Sequence, residues 1–395
     1  MSIGTSNVQD EILREAGASD AEADELLVYN ASKFVWPDPV PAFPLPDEPF
    51  ATTWRDYADE IAAAGGIEPL YRYLVQLSFP VEAGISAQDD YQAAVKKGKR
   101  PSAPVRGGTR LQSPQGFRLI LHPTAAGRIP VLVLDDRRDF ETFVQVFSRK
   151  NEPTPVPASM GAAMISGYGN WHRIEVLKKQ FFAAGGNLEN WSAEFSRIKR
   201  TPELYQDRFI LLSTGPYSGV AAEDLGLDEE SWRLISIVIR REHECAHYFT
   251  KRVFQSMQNN LLDELIADYA GLVCAIGRFR ADWQFRFLGL ESFPHYREGG
   301  RLQNYRGSPA LSDGAFRVLL TLVHRAAHNL ESFDGAARER VDGFVLSAAL
   351  VALAGLTLEE LASSAGPQRL TDRYVGEVLR QRNVPEQTQA AAAAY

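Results

Sequence analysis

Ser231-Trp232-Arg233-Leu234-Ile235-Ser236-Ile237-Val238-Ile239-Arg240-Arg241-Glu242-His243-Glu244-Cys245-Ala246-His247-Tyr248-Phe249-Thr250-Lys251-Arg252-Val253-Phe254 reads as one helix from end to end. Apolar positions Ile235, Ile239, Ala246, Phe249 and Val253 recur at three- and four-residue steps, the spacing of a helix with one buried face. Asp228-Glu229-Glu230 places acid at its start and Lys251-Arg252 base near its end, both favourable to the helix dipole. Neither proline nor glycine interrupts it. Inside lies His243-Glu244-Cys245-Ala246-His247, an H-E-x-x-H motif. Residues four apart on a helix sit about 40° apart, so both imidazoles project from one face and can grip one metal ion. Glu244 is then placed to take a proton from a metal-bound water.

Two histidines alone do not make a catalytic zinc site, which needs a third protein ligand and an open fourth position. Downstream, Asn259-Asn260 reads as a helix start, followed by the apolar 3.6-residue rhythm of Leu261-Leu262-Asp263-Glu264-Leu265-Ile266-Ala267-Asp268-Tyr269-Ala270-Gly271-Leu272. Glu264 follows His247 by 17 positions (264 − 247), enough for one helix to end and a second to return antiparallel. Asp268 faces the same way as Glu264, and a carboxylate there can accept the free ring N–H of a liganding histidine. The bland alternative is a solvated acidic edge. The E-x-x-x-D spacing gains its force from following the histidine pair.

On these residues (His243, Glu244, His247, Glu264 and Asp268) the chain resembles the glutamate-zincin group of metallopeptidases across roughly residues 207–280. The resemblance implies that His243, His247 and Glu264 bind Zn2+, that Glu244 is general base and later acid, and that Asp268 steadies His243. It also implies a fold: α+β, predominantly helical, with a zincin-like upper lobe holding a small mixed sheet and the active-site helix, plus a helical lower lobe. In such an upper lobe the edge of the last strand pairs with an extended peptide substrate by main-chain hydrogen bonds. One feature departs from the group, because the charged Arg240, Arg241 and Glu242 precede the motif directly. They point to a wider or wetter cleft, or to salt bridges elsewhere in the chain.

Outward from the motif, 117–122 and 129–134 read as strands joined by a turn at 124–127, and 137–149 as a helix. Residues 160–169 suggest a glycine-rich strand or loop, 175–184 a helix, and 208–213 a strand ending at Gly215-Pro216. Towards the N-terminus, 6–33 suggest two short helices separated by Gly17. Trp36 to Pro49 is proline-dense and therefore extended, as a strap on its own protein or a ligand for a proline-reading module. Residues 54–91 look mainly helical, and the basic, Gly- and Pro-rich 96–114 reads as a mobile loop. The expected division is 1–114 (N-terminal helical region with strap and basic loop), 115–257 (upper lobe), 258–384 (helical lower lobe) and 385–395 (frayed tail).

The chain of 395 residues, 45% hydrophobic and 10% aromatic, has material for a large core. Its net charge of −8 argues against broad nucleic-acid or anionic-membrane binding, which needs a basic surface. Two cysteines, Cys245 and Cys274, make no C-x-x-C pair, and Cys245 is expected to pack in the core. The start lacks a basic region followed by an apolar run, and the longest apolar stretch, 344–356, is too short to span a bilayer. A cytoplasmic protein is the expectation, without a membrane partner.

A hydrolytic site also needs a donor for the oxyanion. The candidates are His295, Tyr296 and Tyr305 in 291–308, and His324 or His328 on a helix over 315–330; His295, Tyr305 and His324 are the primary ones. The expected activity is a zinc-dependent peptidase or amidase acting on a peptide or small amide. The alternatives are zinc-dependent hydrolysis of a non-peptide small molecule, or a non-catalytic scaffold whose zinc ties two helices together.

Overall fold

The computed structural model describes residues 3–99, 108–257 and 260–383. In chain order it contains α1 (Ile3–Glu15), α2 (Asp20–Tyr29), α3 (Phe50–Ala64), α4 (Glu68–Tyr73), α5 (Asp89–Lys97), β1 (Phe117–His122), β2 (Ile129–Leu134), α6 (Arg137–Ser148), β3 (Ala162–Gly169), α7 (Trp171–Ala183), α8 (Leu188–Lys199) and β4 (Gln206–Ser213). Helices α9 (Glu229–Phe254), α10 (Asn260–Ile276), α11 (Ala281–Leu288), α12 (Asp313–Arg340), α13 (Leu346–Ala354), α14 (Leu358–Ala362) and α15 (Gly366–Arg382) follow. The class is α+β and predominantly helical. The expected frayed tail at 385–395, Asn259 of the predicted helix start, and Arg100 and Arg106 of the basic loop lie outside the described residues.

Two compact units divide the chain. One is Pro46–Gly215; the other joins the segment up to Leu45 with residues from Pro216 onward. The boundaries expected at 114/115 and 257/258 therefore fall elsewhere. The histidine-bearing helix α9 groups with the helices that follow it, whereas the sheet groups with α3–α5.

In the sheet unit the strand order is β1-β2-β4-β3. β1 and β2 form the expected antiparallel hairpin, from Phe117 opposite Leu134 to His122 opposite Ile129. β2 then pairs parallel with β4 from Val131 opposite Ile210, and β3 closes the other side of β4 antiparallel. Pro130 lacks an N–H, but it precedes the first β2–β4 pair and so removes no donor from that ladder. The predicted glycine-rich stretch is strand β3, with a bulge between Ser166 and Tyr168 where Gly167 takes φ 74°. This order corrects one expectation, since β4 has neighbours on both sides and presents no edge for a peptide. The reason is compositional: all six residues of β2 and Phe209 to Ser213 of β4 are buried, the continuous apolar run of an interior parallel pair.

Trp54, Tyr57, Phe140, Phe143, Tyr168 and Phe209 dominate the core of this unit. Asp207 sits fully buried in it, accepting from Trp54 Nε1 at 2.8 Å, Asn170 Nδ2 at 2.7 Å and Arg173 Nη1 at 2.6 Å.

In the helical unit α9 begins at Asp228, whose carboxylate caps Ser231 N at 2.9 Å, and ends at Gln255 in the left-handed region. α10 returns along it. A Cβ on Gly271 would lie 2.8 Å from Ile239 O, so the two backbones touch where only glycine fits. The N-terminal extended segment is a strap on this unit. Val35 N donates to Phe254 O at 2.9 Å, Trp36 and Phe43 pack on Phe254 and Phe249, and Arg380 donates to Val40 O and Pro41 O. Among the described residues no helix is long and apolar enough to cross a membrane.

Candidate metal centre

Because α9 and α10 run antiparallel, residues whose numbers rise on one meet residues whose numbers fall on the other. Ile239 meets Gly271, His243 meets Asp268, His247 meets Glu264, and Thr250 meets Asp263. The four-residue step within each helix therefore lines two imidazoles against two carboxylates.

The donor atoms converge. His243 Nε2 and His247 Nε2 are 3.1 Å apart, and the Glu264 carboxylate straddles them, Oε2 3.5 Å from His243 Nε2 and Oε1 3.5 Å from His247 Nε2. A tetrahedral zinc with bonds of about 2.0–2.2 Å separates its ligand atoms by about 3.3–3.6 Å. The two 3.5 Å histidine–Glu264 separations fall in that range and the 3.1 Å histidine pair lies slightly inside it, and both histidines are buried.

The tautomer of His243 is set from behind. Its Nδ1 lies 2.8 Å from Asp268 Oδ1, so Nδ1–H donates to the carboxylate and Nε2 is left as a bare acceptor aimed at the other donors. Asp268, fully buried, takes three more donors: Tyr217 Oη at 2.5 Å, Gln284 Nε2 at 2.7 Å, and Arg301 Nη2. Arg301 Nη1 also donates to Tyr217 Oη at 2.8 Å. Around His247, Nδ1 is 3.7 Å from Asp263 Oδ1, in electrostatic contact but beyond hydrogen-bond range, while that oxygen takes the Thr250 hydroxyl at 3.1 Å.

The electrostatics favour positive charge at this spot. Burial opposes ionisation of Asp268, but the Arg301 guanidinium and the hydrogen bonds from His243 and Tyr217 outweigh it and hold the carboxyl well below its usual range. Burial likewise works against charge on Glu264, yet the hydrogen bond and charge of His247, then His243 and Arg301, bring its pKa to about 2. Burial disfavours a protonated His247, but Asp263 and Glu264 reverse that and raise its pKa well above 6.5. Two carboxylates held ionised beside two imidazoles suit a cation at this spot.

Glu244 is half-buried one position beyond His243, and among the described residues its carboxylate makes no hydrogen bond or ion pair. Of the oxyanion candidates, Tyr305 is the one held at the triad, its hydroxyl donating to Glu264 Oε2 at 2.7 Å. His324 and His295 are not brought there. The His324 ring stacks on Phe285 and Phe293, with centroids 4.6 and 4.1 Å away, on a different face of α11 from Gln284. His295 is exposed in a tight turn, its N–H donating to Ser292 O at 2.9 Å. Tyr296 is held within its own loop by Gly300 O and Gln303 N, and His328 is exposed beside Phe285. Local helix periodicity placed His324 and His328 on α12 but said nothing of which neighbour would cover them.

The charges before the motif find internal partners. Arg240 is buried, donating to Pro216 O at 3.1 Å with its guanidinium over the Tyr217 ring, and Arg241 pairs with Glu242 at 2.7 Å. Cys245 is buried, and burial pushes its thiol up. Sequence patterns missed Tyr217, Asp263, Gln284 and Arg301. Asp263 stood beside Glu264 in the quoted helix, and Arg301 stood in the 291–308 segment considered for an oxyanion donor. Tyr217 and Gln284 carry no local signal.

No curated protein and no solved structure matches this chain. The model of a family of unknown function, DUF7005, matches residues 11–365, spanning both units and every residue of the centre just described, so the chain belongs to the DUF7005 family.

Proposed function

We propose that this protein is a zinc-dependent hydrolase that cleaves a peptide or small amide bond, in the manner of the glutamate-zincin group its motifs resemble. The observation that carries this is the donor triangle of 3.1, 3.5 and 3.5 Å formed by His243, His247 and Glu264, with Asp268 behind His243. Those three residues would hold the ion, which when bound polarises a water and lowers its pKa towards about 7.

The chain's own groups do the rest. His243 is kept in one tautomer by Asp268, so its Nε2 lone pair stays available. Glu244, with no partner among the described residues to neutralise it, accepts the proton of the attacking water and returns it to the leaving nitrogen. The Tyr305 hydroxyl, pushed up by burial and by Glu264, stays protonated at neutral pH, and to serve the developing oxyanion its one O–H would have to turn from Glu264 Oε2, to which it donates.

One observation favours a second reading of the substrate. β4 is enclosed by β2 and β3, so the main-chain pairing that would select an extended peptide has no free β4 edge. A small non-peptide amide or ester is therefore the runner-up, with the same residues in the same roles.

The discriminating change is Glu244→Gln, which removes a base but no ligand. Turnover of an amide or peptide substrate found by library screening is expected to fall by about 10²–10⁴-fold. Zinc content by mass spectrometry of the metal should stay at the wild-type ratio. Unchanged turnover in this variant, or wild-type protein purified without zinc and unable to take it up, would sink the assignment.

A further inference from the structure

Between α11 and α12 the chain makes an irregular excursion whose base is pinched shut. Gly289, at φ 89°, and Gly300 approach so closely that a Cβ on Gly300 would lie 2.6 Å from Leu288 O and 2.8 Å from Gly289 Cα. From this pinch the single turn Arg301–Tyr305 offers two side chains four residues apart. They meet two carboxylates four residues apart on α10: Arg301 pairs with Asp268, and Tyr305 donates to Glu264. One turn of chain thus grips both acids of the E-x-x-x-D pattern.

The same excursion is held from behind by α2. The Tyr29 hydroxyl donates to Tyr305 O, and Gly307, at φ 83°, lies so close that a Cβ would meet the Tyr29 ring at 3.1 Å. Glu25 accepts from both Ser312 N and Ser312 Oγ at 2.6 Å, fastening the residue that caps α12.

We propose that the Arg301–Tyr305 turn, backed by α2, is a clasp that sets the spacing of the α10 carboxylates against the α9 imidazoles. Arg301 is its positioning residue, acting through Asp268 and Tyr217. The proposal rests on the metal-centre reading above. The physical reason for arginine is geometric: its forked guanidinium reaches Asp268 Oδ2 with one nitrogen and Tyr217 Oη with the other, which a lysine ammonium on a flexible stem does not reproduce. Partners bonded directly to a metal ligand, as Asp268 is to His243, usually contribute about 10–100-fold to the metal's affinity, and Arg301 stands one step behind Asp268, so its share is expected at the lower end.

The test is zinc affinity, with Zn2+ alone as probe, by competition against a fluorescent chelator on the full chain. Arg301→Gln is expected to weaken zinc binding by about 10-fold with an unchanged circular dichroism spectrum, and Arg301→Lys to recover part of the loss. Tyr29→Phe, which removes one hydroxyl bonded to the Tyr305 carbonyl and to none of the three ligands, should weaken binding in the same direction by a smaller factor, and it carries the test if Arg301→Gln does not fold. Glu264→Gln is the control. Wild-type affinity in both folded variants, beside a loss in Glu264→Gln, overturns the clasp alone. A loss in Arg301→Gln with none in Tyr29→Phe overturns the backing by α2. Equal zinc affinity in wild type and Glu264→Gln overturns the clasp and the metal centre together.

Discussion

Glu264 and Asp268 stand only four residues apart on one helix, yet they do different work because their surroundings differ. Asp268 is enclosed by four donors, one of them a guanidinium, and serves as a fixed acceptor for His243. Glu264 keeps 18% of its side chain exposed and has one oxygen free of the Tyr305 bond, the state of a carboxylate that can still take a ligand role. Its pKa of about 2, against 4.5 when unfolded, has a consequence for the metal-free protein. A carboxyl depressed in the native state stabilises that state fully above the unfolded value and ceases to do so as pH falls through the folded value. The melting temperature of chelator-treated protein should therefore drop as pH falls from about 4.5 to about 2, and Glu264→Gln should flatten that part of the curve. An identical profile in the variant would show that Glu264 is not held as described.

At the scale of the element, the centre depends on how closely α9 and α10 approach. Gly271 touches Ile239 one turn beyond the His243–Asp268 contact, and the atom in the way of a Cβ is a backbone carbonyl that cannot swing aside. Gly271→Ala should force the helices apart, costing about 1–3 kcal/mol in a denaturant titration and, on the proposed zinc reading, weakening zinc binding in parallel. Unaltered stability would mean the crossing is looser than the structure shows. Both helices were legible in sequence because their evidence is local: caps, dipole-matched charges and an unbroken 3.6-residue rhythm. The register between them was legible only in part. The 17-residue spacing allowed an antiparallel return, while the glycine that fixes the distance looked like any other small residue in an apolar run. The Arg301–Tyr305 turn was not legible, since a single turn in a loop has no periodicity to read.

Across the whole molecule, two units each bury their own polar anchor. In the sheet unit this is Arg173–Asp207, whose side chains are 5% and 0% exposed. Asp207→Ala would leave Arg173 buried without its charge partner, at a cost of about 3–5 kcal/mol. Hydrogen exchange should show that loss within residues 46–215, with protection of α9 and α10 retained; a uniform loss across the chain would show instead that the units do not melt separately. The strands β1, β2 and β4 were readable from composition, but their order was not. Alternation and apolar runs state which faces are buried, not which strands are neighbours, and that is why β4 proved interior rather than an edge.

Sequence alone was sufficient to place two imidazoles on one helical face and two carboxylates on the next, because both arrangements depend on the fixed geometry of a single helix. Only the tertiary structure could bring Tyr217, Gln284 and Arg301 onto Asp268 and Tyr305 onto Glu264, and leave His295 and His324 elsewhere. Those outcomes depend on where distant segments of chain pack. A polar side chain carries no record in its own neighbourhood of the partner it will meet dozens of residues away.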